Sequence, residues 1–158
     1  MIPKTVPALI SLGSNLNPEK NIQTAARLLA KKVGHMVTSS VWESPAVGSS
    51  GPNYLNCAAL FQTNLPLKGI KTNVIAPIEE QLGRIRGSDK YMDRTIDLDV
   101  LIYANQTIDP ELWTQAHLAI PASELMPGFM NNDTGETLLD TAKRLSKLVG
   151  IFQHLDLN

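Results

Sequence analysis

Ala8-Leu9-Ile10-Ser11-Leu12 is a short apolar run that stops at Gly13-Ser14-Asn15. A run of that length closed by turn residues predicts a buried strand, with Gly13 as an ordinary turn glycine. Asn17-Pro18-Glu19 is a helix start: Asn as N-cap, Pro at the first helical position and an acid at the positive end of the dipole. Ile22, Ala25, Ala26, Leu29 and Val33 then recur at helical spacing until Gly34. Met36 to Trp42 has the Val, Thr and Trp content of a second strand, and Tyr54 to Thr63 reads as a third. Between them, residues 44 to 53 form a loop rich in Gly, Pro and Ser, long enough to suggest a function.

Leu67, Ile70, Val74, Ile78 and Leu82 mark a second helix opened by Pro66, with a kink or break expected near Ala76 because Pro77 follows. Thr95 to Tyr103 alternates polar and apolar residues with a period of two, a strand with one buried face. Thr107-Ile108 is expected to return as a short hairpin strand. Thr114 to Ile120 is ambiguous. Pro121 to Leu125 suggests a helical turn, and Leu138 to Leu148 a last helix with Leu139, Ala142, Leu145 and Val149 on its apolar face. His154, in the tail, carries no signal. The order is the βαββαβ of a ferredoxin-like α+β unit: an antiparallel sheet with helices packed on one side, followed by an extra hairpin and helices.

The chemistry concentrates between Arg84 and Tyr103. Asp97 and Asp99 share one side of the acidic strand, roughly 7 Å apart at a rise of about 3.3 Å per residue, a separation that lets them hold hard cations. Upstream stand four cations, Arg84, Arg86, Lys90 and Arg94, on a segment that Gly87-Ser88-Asp89 marks as a loop. Guanidinium forks suit phosphate, and Mg²⁺ takes one or two carboxylates plus substrate phosphates, so the combination points to metal-assisted phosphoryl transfer. A surface network of ion pairs is the plainer alternative. Tyr54 and Asn56, on one side of the third strand, suit a flat heterocycle or, equally, ordinary cross-strand contacts.

Bulk properties narrow the partners. With 158 residues and 43% hydrophobic content the chain suits a single domain, 1–158. A net charge of −1 removes any strong electrostatic argument for nucleic acid or acidic membranes, which usually demand a basic face. No run approaches a membrane span, and Met1 to Pro7 lacks a signal-peptide core, which makes the cytoplasm the expected compartment. Cys57, the single cysteine, is expected to be a small core residue.

Four ordered blocks carry a resemblance. Ile10-Ser11-Leu12-Gly13-Ser14-Asn15-Leu16, Ser44-Pro45-Ala46-Val47-Gly48 with Tyr54-Leu55-Asn56, Leu82-Gly83-Arg84-Ile85-Arg86, and Arg94-Thr95-Ile96-Asp97-Leu98-Asp99 resemble the 6-hydroxymethyl-7,8-dihydropterin pyrophosphokinases of folate biosynthesis. The resemblance implies transfer of the β,γ-diphosphoryl group of ATP, as co-substrate, to the pterin hydroxymethyl with release of AMP. It implies that Asp97 and Asp99 hold two Mg²⁺ ions, and that Arg84 and Arg94 grip phosphates, with Arg86, Lys90 and Tyr91 on the same nucleotide-covering loop. Glu79 and Thr114 fall at nucleotide-facing positions. Ser44, Pro45, Val47, Tyr54, Asn56 and Asp97 would line the pterin pocket, and the protein would act as a monomer on small molecules.

The departures are Met92-Asp93 before Arg94, Ala76-Pro77 before Glu79, and a segment between Thr114 and Pro121 shorter than the family's by about eight residues, aligned by eye. His117 matches either a nucleotide-contacting His or the place of a pterin-stacking Phe. These departures leave open a relative that binds nucleotide or pterin without turnover, and one that runs the same chemistry on another hydroxymethyl heterocycle.

Overall fold

The computed structural model describes residues 4–46, 51–83 and 96–154. Its frame is an antiparallel sheet of seven strands: β1 (Val6–Ser14), β2 (Met36–Thr38), β3 (Val41–Ser44), β4 (Tyr54–Thr63), β5 (Asp97–Tyr103), β6 (Gln106–Thr107) and β7 (Phe152–His154). The order across it is β6-β5-β1-β4-β3-β7, with β2 also on β4. Within the first four segments of the chain this places the fourth beside the first, then the third, then the second, which is the split βαβ arrangement that the element order predicts.

Three local departures from the expected elements have physical causes. Gly13 lies inside β1, paired with Asn56 on one side and Asp97 on the other, so it is not a turn residue. The expected strand from Met36 to Trp42 is two strands joined by a bulge. Thr38 faces Ala59 and Trp42 faces Asn56, so three residues oppose two. Ser39 takes up the slack, its N–H donating to the Ala58 carbonyl at 2.9 Å and its Oγ accepting from the Ala58 N–H at 2.8 Å. Asn17 does not cap with its side chain; its φ is 43°, and its carbonyl accepts from the Asn21 N–H at 3.0 Å.

Two helices cover the first face of the sheet. Helix α1 (Pro18–Val33) buries Ile22, Ala25 and Leu29 and ends at Gly34, whose φ of 83° suits glycine. Helix α2 runs without a break through Leu67–Gly69, a π-type segment Ile70–Ile75 and Ala76–Gln81. The expected kink at Pro77 is replaced by this wider turn, in which the Ala76 N–H reaches the Lys71 carbonyl five residues back. Widening the turn before the ring relieves its clash with the preceding carbonyls and brings Ile75 into the core beside Ile70, Val74 and Ile78. With Ile10, Leu12, Cys57, Phe61, Leu98 and Val100 from the sheet they form the larger core.

Helices on one side only is the expectation that fails. The second face is covered too, by a 3₁₀ turn at Pro110–Trp113, α3 (Ala116–Leu125) and α4 (Leu138–Ser146). Leu9, Ala58, Leu101, Ile102, Leu112, Trp113, Leu118 and Leu138 make the core there. This explains the unbroken apolar run at the start of β1, whose residues are buried on both sides. Helix α3 begins five residues before the helical turn expected at Pro121, and its Ala116, Leu118, Ala119, Ile120, Ala122 and Ser123 are all buried. Glu124 ties it to the bulged strand, accepting from Ser40 Oγ at 2.8 Å and from Trp42 Nε1 at 2.7 Å. The inward face of α4 is Leu138, Thr141, Ala142 and Leu145, leaving Leu139 and Val149, both expected inside, exposed. The hairpin is present at β5–β6, turning through Ala104 and Asn105 at positive φ. Strand β7, which no pattern in the sequence marks, adds to the outer edge of β3. No helix among the described residues is long and apolar enough to cross a membrane.

Candidate functional site

The second face of the sheet changes character along its strands. Near the middle it presents Leu9 of β1, Ala58 of β4 and Leu101 of β5 to the second core. Two residues further along each strand the same side carries Ser11, Asn56 and Asp99, and beyond them Gly13, Tyr54 and Asp97. The helical cover stops short of these polar positions and leaves a cavity of about 320 Å³, lined also by Ser44, Pro45, Asp109, Glu111, Gln115, His117 and Leu118. That volume lies at the small end of the range that holds ligands of drug size.

A bulge makes the change possible in β5. Leu9 faces Ile102 and Ile10 faces Val100, so β5 carries one extra residue there. Leu101 and Ile102 consequently both reach the second core, while Leu98 and Val100 stay in the first. Asp97 and Asp99 then fall on the second side, opposite Gly13 and Ser11 of β1. Both line the cavity, Asp97 half-buried and Asp99 exposed.

Gly13 forms part of the floor. A Cβ placed there would stand 3.2 Å from Asn56 Oδ1 and 3.9 Å from the Tyr54 ring, so the bare backbone is what leaves room beside both. Asn56 is buried and donates its side-chain N–H to Ser44 Oγ at 2.8 Å, which fixes the direction of its amide. The opposite rim comes from the segment after the hairpin. Asp109 caps the 3₁₀ turn by accepting from the Glu111 N–H at 3.0 Å. His117 follows in the first turn of α3; burial pulls its pKa below the ordinary value, while the negative charges of Asp97 and Asp109 act in the other direction.

Of the residues the sequence singles out, Ser44, Pro45, Tyr54, Asn56, Asp97, Asp99 and His117 therefore meet around one cavity. Glu79 does not line it: the side chain is buried under the sheet, and its Oε2 accepts from the Leu98 N–H at 3.1 Å, holding the backbone between the two aspartates. Thr114 is exposed at the end of the 3₁₀ turn, its Oγ1 on the Glu111 carbonyl at 3.4 Å. Val47, Arg84, Arg86, Lys90, Tyr91 and Arg94 lie outside the described residues. Sequence reasoning passed over Ser11, Asp109, Glu111 and Gln115. Ser11 had a signal, as the one polar residue in an otherwise apolar strand start; the other three gave none.

Four carboxylates, Asp97, Asp99, Asp109 and Glu111, border the cavity, and no lysine or arginine does so among the described residues. No three His, Cys, Asp or Glu side chains among the described residues are placed to hold a metal ion by themselves. A hard divalent ion with one or two carboxylates, waters and ligand phosphates fits that donor set, whereas an all-protein metal cage does not.

Fold and site together define a small-molecule-binding α+β domain whose pocket joins a hydrogen-bonding, aromatic end to an acidic one. A family model described as 7,8-dihydro-6-hydroxymethylpterin-pyrophosphokinase (HPPK) matches residues 9–127. A Haemophilus influenzae protein named 2-amino-4-hydroxy-6-hydroxymethyldihydropteridine pyrophosphokinase is 32% identical over 152 residues, covering 93% of this chain and 93% of the relative. A Synechocystis protein of the same name is 28% identical over 149 residues, covering 87% of this chain and 75% of its own length. Among solved structures, the wild-type Plasmodium falciparum HPPK-DHPS with pteroate superposes with a TM-score of 0.69 at 12% identity over 93% of this chain; this chain spans 45% of that longer one. The chain belongs to the HPPK family.

Proposed function

We propose that this protein transfers a diphosphoryl group from ATP to the hydroxymethyl oxygen of 6-hydroxymethyl-7,8-dihydropterin, giving the pterin diphosphate and AMP. The hydroxyl oxygen attacks the β-phosphorus, the bond between that phosphorus and the α,β-bridging oxygen breaks, and the hydroxyl proton is lost. The observation that carries the reading is the meeting of Asp97 and Asp99 with Tyr54, Asn56 and Ser44 around one cavity. One end of it suits a flat, hydrogen-bonding ring and the other suits cation-bound phosphates.

Within this reading the Tyr54 ring packs on the heterocycle, Asn56 pairs with its polar edge, and Gly13 keeps the floor open. Asp97 and Asp99 would hold two Mg²⁺ ions, and the chemistry those would supply is neutralisation of the triphosphate charge. Arg84 and Arg94, assigned by the family resemblance, hold phosphates that the acidic rim would otherwise repel. His117 lines the same cavity, within reach of the charges of Asp97 and Asp109, where the two ends of the cavity meet. The reading carries with it a monomer acting in the cytoplasm on two small molecules, with neither nucleic acid nor membrane as partner.

Incubation of the pure protein with ATP, Mg²⁺ and the hydroxymethyl pterin is expected to yield AMP and the pterin diphosphate in equal amounts. No AMP above a blank, while an HPPK of known activity works in the same buffer, would overturn the assignment.

A further inference from the structure

The residue to which the sequence assigns nothing, His154, stands in edge strand β7 opposite Val41 of β3. Its Nδ1 lies 3.6 Å from Glu43 Oε1 and its Nε2 lies 3.3 Å from Glu19 Oε1, in the first turn of α1. The imidazole therefore sits between two carboxylates from two other elements, and its side chain is only 22% exposed. The second oxygen of Glu43 is also engaged: Oε2 accepts from Asn53 Nδ2 at 3.0 Å. Asn53 immediately precedes Tyr54, and Glu43 immediately precedes Ser44, which is paired with Tyr54 across the β3–β4 ladder. The Glu43 carboxylate thus joins the end of β3 and the entry of β4 to β7.

We propose that Glu43 and His154 are positioning residues for the heterocycle end of the cavity. Strand β7 holds the Glu43 carboxylate through His154, the carboxylate holds Asn53, and Asn53 sets the entry of β4 from which Tyr54 reaches the cavity. Neither residue lines the cavity itself. Asn15 separately pins the neighbouring Pro52 carbonyl at 3.3 Å, so loss of the Glu43 contact acts on Asn53 and the start of β4. This inference rests on the proposed function for its ligand, but its structural half does not.

Two measurements separate the two. Hydrogen–deuterium exchange on the ligand-free protein reads the structural half: in His154→Ala the amides of residues 53 to 56 are expected to exchange about tenfold faster, with those of β1 unchanged. Asn53→Ala, which cuts the connection from the other end and leaves β7 intact, is expected to give the same local increase. Steady-state kinetics read the consequence: KM for the hydroxymethyl pterin is expected to rise about fivefold in both variants while kcat and KM for ATP stay within about twofold, and His154→Gln, which keeps a donor, recovers part of the difference. Faster exchange at 53 to 56 in a protein that does not turn over the pterin would overturn the proposed function and leave the positioning role standing. Unchanged exchange at 53 to 56 in Asn53→Ala, or a kcat loss with pterin KM unmoved, would overturn the positioning role.

Discussion

The two faces of the sheet are built from the same strands and solve different problems. On the first face the strand residues packed into the core with α1 and α2 include Ala8, Ile10, Leu12, Cys57, Ala59, Phe61, Leu98 and Val100, and Leu12, Leu98, Ala59 and Ile10 are at most 1% exposed. The second face is apolar only as far as Leu9, Ala58 and Leu101; beyond them the side chains become Ser11, Asn56, Asp99 and Asp97, and the helices give way to a cavity. Stability and chemistry are thereby kept on opposite sides of a single backbone. Adjacent residues of β5 accordingly belong to different systems: Leu98 to the core, Asp97 and Asp99 to the site.

The largest expected effect tests the polar end directly. Asp97→Ala should lower turnover by about a thousandfold or more, on the scale seen when one charge-stabilising group is removed from a phosphoryl- or acyl-transfer site. Its thermal midpoint should stay within about 5 °C of the wild type, a shift of order 1 kcal/mol for a domain of this size. A loss of activity that simply tracks unfolding in a melting experiment would merge the two faces again.

One residue on, the expectation reverses. Leu98→Ala removes a fully buried side chain from the first core and should destabilise the protein by about 2–5 kcal/mol in denaturant unfolding, through lost burial and the cavity left behind. Whatever fraction stays folded should keep its pterin KM near the wild-type value. Equal stability for Leu98→Ala and wild type would show that the first face is not packed as described.

Gly13→Ala probes the border between the two systems. The new Cβ would sit 3.2 Å from Asn56 Oδ1, so the Asn56 amide must turn or move by a few tenths of an ångström, and its bond to Ser44 with it. KM for the pterin should rise about tenfold with the stability almost unchanged, because the strain is relieved into the cavity rather than the core. Unaltered KM would remove Asn56 from the substrate wall.

How much of this the sequence displays depends on which face a segment serves. Helix α1 and strand β4 were legible because a single buried stripe or a bounded apolar run is what periodicity reports, and the acidic strand was legible because Asp97 and Asp99 break its alternation only by charge. Helix α3 was not. It is buried on nearly all sides, so no stripe contrasts with a polar face, and Pro121 in its middle argues against a helix although it sits among buried neighbours. Strand β7 is three residues long, with Phe152 and Gln153 exposed, and exists through pairing with β3 rather than through any preference of its own. The cavity's carboxylate rim shared that fate: Asp109 and Glu111 follow the β5–β6 hairpin closely, and no periodicity shows that the chain turns back there over the second face. Glu79 shows the converse. The resemblance places it at a nucleotide-facing position, and the structure adds a second task no pattern displays, its carboxylate accepting from the Leu98 N–H.

The smallest effect concerns how the second face keeps its cover. Glu136 accepts from Arg144 at 2.9 Å and from Thr141 Oγ1 at 2.7 Å, and Arg144 also reaches the Trp113 carbonyl at 3.2 Å, so this polar cluster fastens α4 to the segment before α3. The hydrogen bonds from Arg144, then that from Thr141, hold the Glu136 carboxyl down at about 2, against an ordinary 4.5. A depressed carboxyl pKa favours the folded state above pH 4.5, and that contribution fades as the pH falls toward 2. Glu136→Gln should therefore be slightly less stable than wild type at pH 6, with the difference shrinking between pH 4.5 and 2 until the two proteins unfold together. Fluorescence from Trp113, stacked on Phe129 with centroids 5.9 Å apart, reports the second face during the titration. Amide exchange in α1 reports the first, whose packing rests on the larger apolar core, and should rise later as acid is added. If α1 loosens first, the cover of the second face is held by its apolar contacts, and the polar cluster is incidental.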